Sequence, residues 1–244
     1  MIDKVDLQSV ISKYYLKQNE DVIWRIKDSI LSISFQSPQK NVVGEVTYND
    51  FDCGDVRLPI YNTGKLYNLI NICSGEIELD IEVTHDKPVK LHVSDDNFNV
   101  SYALANEMII SKVDSVNLPI WDVEITLTPD DIVNLVKAKK ALSDIDNLII
   151  TTEEDDDGGS VCKVVFGDEL GHHNKISYQL TGEIGMNNIE LPFSANQFGE
   201  ILNVNKDLDE GFLKLSNKGI MQLSFKNENI LSIYNIIRKQ ESDF

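Results

Sequence analysis

The feature of this sequence that most constrains its fold is a segment that occurs twice. Residues 58–70 read LPIYNTGKLYNLI and residues 191–202 read LPFSANQFGEIL. Both copies place a helix N-cap residue, Asn62 or Ser194, before apolar residues three and four positions apart, a spacing that buries one face of a short helix. Downstream, the strand–turn–strand patterns KLHVSDDNFNVSYA and QLSFKNENILSIYN correspond at a constant offset of 132. An internal repeat fixes architecture, and this one predicts two duplicated domains.

A second pair of helices is related by an offset of 125. The apolar residues Leu7, Val10 and Ile11 correspond to Ile132, Leu135 and Val136, and they predict the buried stripe of each helix. Asp3 and Thr128 are the predicted N-caps, and Pro129 follows at the first helical position. The four predicted helices cover 4–18, 62–74, 128–142 and 194–206. Strand patterns fill the remainder, so the order in each half is helix, strands, helix, strands.

This order predicts an α+β fold with two duplicated domains, each with two helices packed on antiparallel sheets. The expected domains are 1–105 and 123–244, joined by a connector at 106–122. The connector is unusually apolar, and exposed apolar segments often mark a binding edge. Alternatively, it simply lies on the sheet beneath it. If it binds a partner peptide, the predicted pocket residues are Val113, Leu118, Ile120 and Trp121.

Composition excludes some classes of function. The 244 residues carry a net charge of −18, which argues against a simple DNA-binding protein with a basic surface. Three scattered cysteines (Cys53, Cys73 and Cys162) suggest reduced thiols in a cytosolic protein. No apolar run approaches the roughly 20 residues of a membrane helix, and the N-terminus does not resemble a signal peptide.

We find no catalytic motif, and we expect neither a cofactor nor a metal site. Gly64-Lys65 lacks the leading glycine of a phosphate-binding loop. The adjacent His172 and His173 would point to opposite faces of a strand, and a surface loop is the preferred interpretation. The acidic segment 153–159 lacks the ligand spacing of a calcium loop, so we interpret it as a solvated turn.

Charge is distributed unevenly along the chain. The four predicted helices contain eight lysines and four acidic residues, whereas the rest of the chain carries 14 basic and 36 acidic residues. Helix surfaces and helix C-termini favour lysine in any protein, which is the simpler explanation. Cationic helices in an anionic body are also what a protein needs if only its helical face contacts a polyanion. The eight lysines are Lys4, Lys13, Lys17, Lys65, Lys137, Lys139, Lys140 and Lys206.

With these features the chain resembles the DNA polymerase sliding clamps, and most of all the trimeric clamps of T-even-type bacteriophages. The resemblance covers essentially the whole chain. It rests on the twofold repeat, the N-terminal helix DLQSVISKYYLK, the passage LPIWDVEITLTPDDIVNLV and the terminal Asp243-Phe244.

The resemblance implies a non-enzymatic processivity factor. Three chains would assemble head-to-tail into a ring that encircles duplex DNA without sequence preference. An ATP-dependent clamp loader would open the ring, and the replicative DNA polymerase would dock through a short peptide. Such a viral protein acts in the cytoplasm of an infected bacterium and needs no membrane. The lysines expected to face the phosphates are Lys13, Lys17, Lys137 and Lys140, with Lys4 and Lys65 as further candidates.

Two other functions stay open from the sequence. One is a phage structural ring protein of the tube or baseplate, because such proteins can also be duplicated β-rich domains. The other is a metal-dependent hydrolase that uses the acidic segment.

On a helical wheel Lys13 points away from the apolar stripe of its helix, whereas Lys139 lies near the apolar side and must extend past it to reach water.

Overall fold

The computed structural model describes residues 1–154, 158–167 and 174–239. Within these residues the chain forms four α-helices, a short 3₁₀ helix and antiparallel strands. The predicted α+β class, with two helices on antiparallel sheets in each half, is confirmed.

The chain divides into two compact units. The first unit comprises Met1–Ser115 with Glu228–Ser232, and the second comprises Val116–Asn227 with the chain from Ile233 onward. The boundary between them lies within the predicted connector at 106–122.

The first unit contains two helices and two groups of paired strands. Its helices are α1 (Lys4–Tyr15) and α2 (Thr63–Asn71), and the 3₁₀ helix η1 is Glu107–Ile109. Its strands are β1 (Ile2–Asp3), β2 (Val22–Lys27), β3 (Ile30–Gln36), β4 (Val42–Tyr48), β5 (Val56–Ile60), β6 (Glu76–Thr84), β7 (Lys87–Ser94) and β8 (Asn99–Ala103). The strands pair antiparallel in the orders β5-β2-β3-β4 and β1-β6-β7-β8.

The second unit repeats this order with one additional short strand. Its helices are α3 (Pro129–Ala141) and α4 (Ala195–Asn205). Its strands are β9 (Val123–Leu127), β10 (Leu148–Glu154), β11 (Ser160–Phe166), β12 (Ile176–Leu180), β13 (Glu183–Ile184), β14 (Glu190–Phe193), β15 (Glu210–Ser216), β16 (Ile220–Lys226) and β17 (Ile230–Ile237), and the first three residues of β17 are counted with the first unit. The strand orders are β12-β11-β10-β14 and β13-β9-β15-β16-β17.

The four helices begin where the sequence predicts. Asp3, Asn62, Thr128 and Ser194 are the N-caps, and each side chain accepts a hydrogen bond from a backbone N–H of the first turn. At α3 the carboxylate of Asp131 also accepts from the Thr128 N–H, which completes a capping box. An N-cap of this kind stabilises a helix by about 1 kcal/mol, so local chemistry fixes where each helix starts.

The buried faces of the helices form the core of each unit with the sheets below them. The predicted stripes of α1 and α3 are all buried, and so are Leu66 and Ile70 of α2 and Phe198 and Leu202 of α4. In the first unit Tyr102 of β8 reaches the start of α2, where its hydroxyl accepts from the Asn62 N–H at 2.9 Å. The helices therefore cover one face of the sheet β1-β6-β7-β8 and leave its other face exposed.

Candidate nucleic-acid interface

Five of the eight helix lysines are exposed. Lys137 and Lys140 lie on the solvent side of α3, Lys65 lies in the first turn of α2, and Lys17 and Lys206 follow the C-terminal ends of α1 and α4. Lys65, Lys137 and Lys140 lie within helices, so the second unit carries more exposed cations on its helices than the first. The remaining three lysines have structural roles, and two of them were expected to face DNA.

Lys13 does not have the predicted orientation. Its relative exposure is 0%, and its ammonium donates to the Ser9 hydroxyl at 2.7 Å, one turn earlier in α1. The prediction was wrong because a helical wheel gives the direction of a side chain relative to its own helix. It does not show which other parts of the chain cover that side. A fully buried ammonium cannot contact a phosphate, so Lys13 leaves the candidate site.

Lys4 caps the end of the neighbouring helix. Its ammonium donates to the backbone carbonyls of Asn71 at 2.9 Å and Cys73 at 2.6 Å, where α2 ends. A cation at a helix C-terminus satisfies carbonyls that lack intrahelical partners and interacts favourably with the helix dipole. Lys4 therefore joins α1 to α2 and is not a candidate for phosphate contact.

Lys139 is buried between the two helices of the second unit. Its aliphatic stem packs on Gly199 of α4, where an added Cβ would lie 2.7 Å from the Lys139 Cγ. Its ammonium reaches the carbonyls of Leu142 and Ser143, both at 3.1 Å. As predicted, the stem passes along apolar surface, but the charged end finds backbone carbonyls instead of water.

Each unit has one carboxylate at the start of its second helix that the sequence did not predict. In the first unit Glu20 accepts from the Gly64 N–H at 3.0 Å and from the Tyr15 hydroxyl at 3.0 Å. In the second unit Asp146 accepts from the Asn196 N–H at 2.7 Å and from the Ser194 hydroxyl at 2.8 Å. Glu20 is 44 residues from Gly64 in sequence, and Asp146 is 50 residues from Asn196. No local sequence pattern could therefore indicate these two contacts.

The exposed face of the sheet β1-β6-β7-β8 is acidic. Residues of β6 alternate between the two faces, which places Glu76, Glu78, Asp80 and Glu82 together on the face opposite the helices. Glu82 pairs with Lys90 at 2.8 Å, and this hydrogen bond, followed by that from His92, lowers the pKa of the Glu82 carboxyl. In the first unit the acidic surface therefore lies on the side of this sheet away from the helices.

The connector exposes several large apolar side chains. The exposed fractions are 90% for Met108, 89% for Ile120 and 55% for Leu118, whereas Val113 and Trp121 are half-buried. Met108 and Ile109, which is also exposed, extend the apolar set beyond the predicted residues.

Polar contacts hold the connector at both ends. In the first unit the Ser111 N–H donates to Asp21 at 2.6 Å, and Asp114 accepts from Gln36 at 3.2 Å and pairs with Lys40 at 3.1 Å. In the second unit Asp122 accepts from the Asn217 N–H at 2.8 Å. The exposed apolar residues are thus presented by a segment whose backbone is anchored.

Several predictions concern residues outside the described ranges. These are His172, His173, the acidic residues Asp155–Asp157 and the terminal Asp243-Phe244. Across the described residues, no group of three or more His, Cys, Asp or Glu side chains is placed to hold a metal ion. No helix among them has the length and apolar character needed to span a membrane.

Solved structures with the same fold cover almost the whole chain. The Proliferating Cellular Nuclear Antigen from Entamoeba histolytica matches with a TM-score of 0.76 at 15% identity, over 98% of this chain and 96% of that one. The PCNA of A. fulgidus, solved with the C-terminal region of FEN-1, matches with a TM-score of 0.78 at 13% identity, over 98% and 97% of the two chains.

This chain has the sliding-clamp fold. A third clamp structure, the PCNA2–PCNA3 complex from Sulfolobus tokodaii, matches with a TM-score of 0.75 at 10% identity over 98% of each chain. No protein-family model matches the sequence. A search of curated proteins also gives no match. The likeness to the clamps is therefore one of fold, conserved at low sequence identity.

Proposed function

We propose that this protein is a sliding clamp, a ring that encircles duplex DNA and acts as a processivity factor for the replicative DNA polymerase. The observation that carries the proposal is the clamp fold over 98% of the chain. In this function the protein changes no covalent bond. A closed ring cannot leave DNA by sideways diffusion, so retention depends on topology and not on affinity.

The distribution of charge supports this function. Exposed lysines lie on the helices, whereas Glu76, Glu78 and Asp80 lie on the opposite face of a sheet in the first unit. The Debye length is about 8 Å at physiological salt, so carboxylates beyond the sheet are largely screened from the helical surface. DNA is attracted to the helices and repelled by the acidic face.

We assign phosphate contacts to the exposed lysines Lys17, Lys65, Lys137 and Lys140, and we add Lys206. Contacts to phosphate fix position without reading sequence, which suits a protein that must move along any duplex. Long lysine stems allow contacts that exchange rapidly as the ring moves.

The proposed assembly is a head-to-tail homotrimer. Such contacts use two different surfaces of each chain, and a ring results when the rotation closes. Among the described residues, β8 in the first unit and β12 in the second each end a strand order, so each can accept a strand from another copy.

The connector is the proposed docking site for partners. Leu118, Ile120 and Met108 provide exposed apolar area on an anchored backbone, and Val113 and Trp121 lie beside them in sequence. Buried apolar anchors typically dominate the binding energy of such peptides. The A. fulgidus clamp was solved with the C-terminal region of FEN-1, and we propose a terminal peptide of the polymerase as the corresponding partner here.

The finer assignment to the T-even-type phage clamps rests on the sequence resemblance. With it come loading by an ATP-dependent clamp loader and action in the cytoplasm of an infected bacterium. The sequence of the N-terminal helix, DLQSVISKYYLK, and the passage LPIWDVEITLTPDDIVNLV support this assignment.

Two measurements test the proposed function. Sedimentation equilibrium should give a mass of about 83 kDa, three times the 27.6 kDa of one chain. Primer extension on a singly primed circular template should give longer products when the protein, its loader and its polymerase are present with ATP. A stable monomer at high concentration would contradict the ring. A trimer that fails to extend products would favour the structural ring protein.

A further inference from the structure

We propose that Ser101 is a nucleophile that activated esters acylate, with His92 as its general base and Glu82 as a positioning residue. The three side chains lie on the exposed face of the sheet β1-β6-β7-β8, on the side away from the helices. The inference goes beyond the proposed function, does not depend on it, and concerns a covalent modification of the chain.

The register of the sheet brings the serine and the histidine together. His92 of β7 lies directly opposite Ser101 of β8. Two positions further along, the Leu104 N–H donates to the Val89 carbonyl at 2.9 Å, which identifies the pair enclosed by this bond as one without hydrogen bonds of its own. Pairs two residues apart are of the same type, so His92 and Ser101 also form such a pair. Their side chains are therefore as close as an antiparallel sheet allows.

A hydroxyl, an imidazole and a carboxylate form a chain of contacts across three strands. The Ser101 Oγ lies 2.8 Å from the His92 Nδ1, and the His92 Nε2 lies 3.3 Å from the Glu82 Oε2. The Lys90 ammonium donates to the same carboxylate oxygen at 2.8 Å and holds it in place. This is the order of groups that activates a serine for attack on an acyl carbon. Ser101 itself is exposed, so a small molecule can reach its hydroxyl.

The carboxylate decides which imidazole nitrogen carries the proton. The hydrogen bond from Lys90, followed by that from His92, lowers the pKa of the Glu82 carboxyl, so Glu82 is ionised at neutral pH and can only accept. The His92 Nε2 must therefore donate to it. A neutral imidazole has one N–H, so Nδ1 keeps its lone pair and accepts from the Ser101 hydroxyl. In this tautomer His92 can take the proton of the nucleophile.

The acylation step needs no partner besides the ester. Ser101 Oγ attacks the carbonyl carbon, and its proton passes to the His92 Nδ1. A bond forms between Oγ and the acyl carbon, and the bond from that carbon to the alcohol oxygen breaks. The alcohol leaves with the electron pair, and His92 releases the proton to it or to water. The step is redox-neutral, and a positioned general base accelerates it by about 10²–10⁴-fold.

The charge around the site selects the class of ester. Asp80 of β6 lies directly opposite His92 on its other side, and Glu78 lies two residues earlier on the same face. These carboxylates repel an anionic acyl donor, whereas an uncharged or cationic ester can approach. The structure therefore favours uncharged and cationic activated esters.

Assembly of the proposed ring would leave this site open. A strand that pairs with the edge of β8 would bind backbone groups in the plane of the sheet. The Ser101 side chain stands on the face of the sheet, roughly perpendicular to that plane. Acylation can therefore be measured on the full chain in any state of assembly.

The test measures acetylation by p-nitrophenyl acetate, an uncharged activated ester. Wild type, Ser101→Ala, His92→Gln and Glu82→Gln are incubated with the ester at pH 8, and peptide mass spectrometry gives the rate of acetylation at each serine. The control within each sample is Ser177, an exposed serine on the edge strand β12, which lies opposite Val165 and not opposite a histidine.

We expect wild type to be acetylated at Ser101 about a hundredfold faster than at Ser177. His92→Gln should remove nearly all of this difference, and Glu82→Gln should remove most of it. With the anionic ester mono-p-nitrophenyl succinate, the preference for Ser101 over Ser177 should be several-fold smaller than with the acetate. The comparison of the two serines within wild type needs no variant, so it does not depend on whether a substitution disturbs the fold.

Nitrogen NMR separates a positioning role of Glu82 from a structural one. In wild type the spectrum of His92 should show the proton on Nε2. The amide introduced by Glu82→Gln can donate as well as accept, so part of the population should carry the proton on Nδ1, where it blocks the contact with Ser101.

Equal rates at Ser101 and Ser177 in wild type would overturn the proposal, and so would a wild-type rate at Ser101 in His92→Gln. A Glu82→Gln variant with the wild-type rate and the wild-type tautomer would overturn the role of Glu82. Ring assembly and duplex binding are measured separately, so their failure would contradict the proposed function and leave the reactivity of Ser101 unaffected.

Discussion

The two halves have chemically different side chains at the same position on their first helix. Tyr14 occupies this position in the first half. Lys139, which corresponds to Tyr14 at the offset of 125, occupies it in the second half. Tyr14 is buried and its hydroxyl accepts from the Trp24 indole N–H at 3.1 Å. Lys139 is buried and donates to two carbonyls at the end of its own helix. At the offset of 132, Tyr67 of α2 corresponds to Gly199 of α4.

The comparison shows what a duplicated fold conserves. Both halves satisfy the polar end of the residue on the first helix, as a buried polar group requires. The residues themselves differ completely: an aromatic ring with a phenol in one half, and an alkyl stem facing a glycine in the other. The fold therefore requires a packed side chain with a satisfied polar group at this position, and both a tyrosine and a lysine meet this requirement.

The largest expected difference between the halves concerns DNA. The exposed Lys137 and Lys140 correspond to Ser12 and Tyr15 in the first half, so α3 carries cations where α1 carries none. Reversal of both to glutamate should weaken duplex binding about a hundredfold at low salt, since it changes four charges per chain. Fluorescence anisotropy with a labelled duplex measures the effect.

The control for that experiment is the pair Lys87→Glu and Lys218→Glu, two exposed lysines outside the helices. It changes net charge equally and should have a much smaller effect. Equal losses in the two double variants would show that net charge, and not the helical surface, governs binding.

The glycine that distinguishes the second half should be more sensitive to substitution than a helix glycine of the first. Gly199→Ala places a methyl group 2.7 Å from the Lys139 Cγ, close to the backbone, where little can move. We expect a loss of about 2 kcal/mol in the free energy of unfolding. Gly64→Ala meets the hydroxyl end of the Tyr15 side chain, which can rotate, and should cost less.

Urea unfolding of the two glycine variants measures this difference. A larger loss for Gly64→Ala would mean that the contact between Lys139 and Gly199 is less constrained than the geometry indicates.

Removal of the Tyr14 hydroxyl tests its hydrogen bond with Trp24. This bond satisfies the polar end of Tyr14 in the first half, as two backbone carbonyls satisfy Lys139 in the second. Tyr14→Phe leaves the Trp24 indole N–H without this acceptor, and we expect a loss of about 1.5 kcal/mol in the free energy of unfolding. Tyr61→Phe, at an exposed tyrosine, should change the free energy by much less. Equal unfolding midpoints for the two variants in urea would contradict the role assigned to this hydrogen bond.

The halves should also differ in the size of the alkaline destabilisation that their thiols cause. Burial raises the pKa of Cys53 and of Cys73 in the first half, but the largest shift is that of Cys162 in the second. Burial raises the pKa of the Cys162 thiol in the second half from 9.0 to about 12. The unfolded thiol loses its proton first, so the free energy of unfolding falls as pH rises above 9. The expected loss is about 1 kcal/mol between pH 9 and 10. Tyr14, whose pKa burial also raises, contributes only above pH 10.

Urea unfolding at pH 8, 9 and 10 detects the thiol contribution. Compared with Cys53→Ala and Cys73→Ala, the largest reduction of the slope between pH 9 and 10 is expected from Cys162→Ala. If this variant retains the wild-type slope, another group is responsible.

The sequence predicted most of the fold because the relevant signals are local. The helix starts at Lys4, Thr63, Pro129 and Ala195 each follow a predicted N-cap, and alternation placed the long strands. The sequence did not predict the two-residue strands β1 and β13, because two residues are too few to show a periodicity.

The candidate site was less predictable because it depends on contacts distant in sequence. The exposure of Lys137 and Lys140 followed from the helical pattern. The burial of Lys13 and the use of Lys4 at the end of α2 did not, because both depend on what packs near the side chain. The carboxylates Glu20 and Asp146 reach helices more than 40 residues away, beyond any local signal.

The most direct test of a ring held by topology is retention on a duplex with blocked ends. The protein is allowed to thread onto a 200-base-pair duplex, both biotinylated ends are then blocked with streptavidin, and the KCl concentration is raised to 0.5 M to abolish phosphate contacts. The account predicts that the protein stays on the DNA through gel filtration and is released when a restriction enzyme cuts the duplex. Dissociation from the intact blocked duplex at high salt, at the same rate as from the cut one, would contradict it.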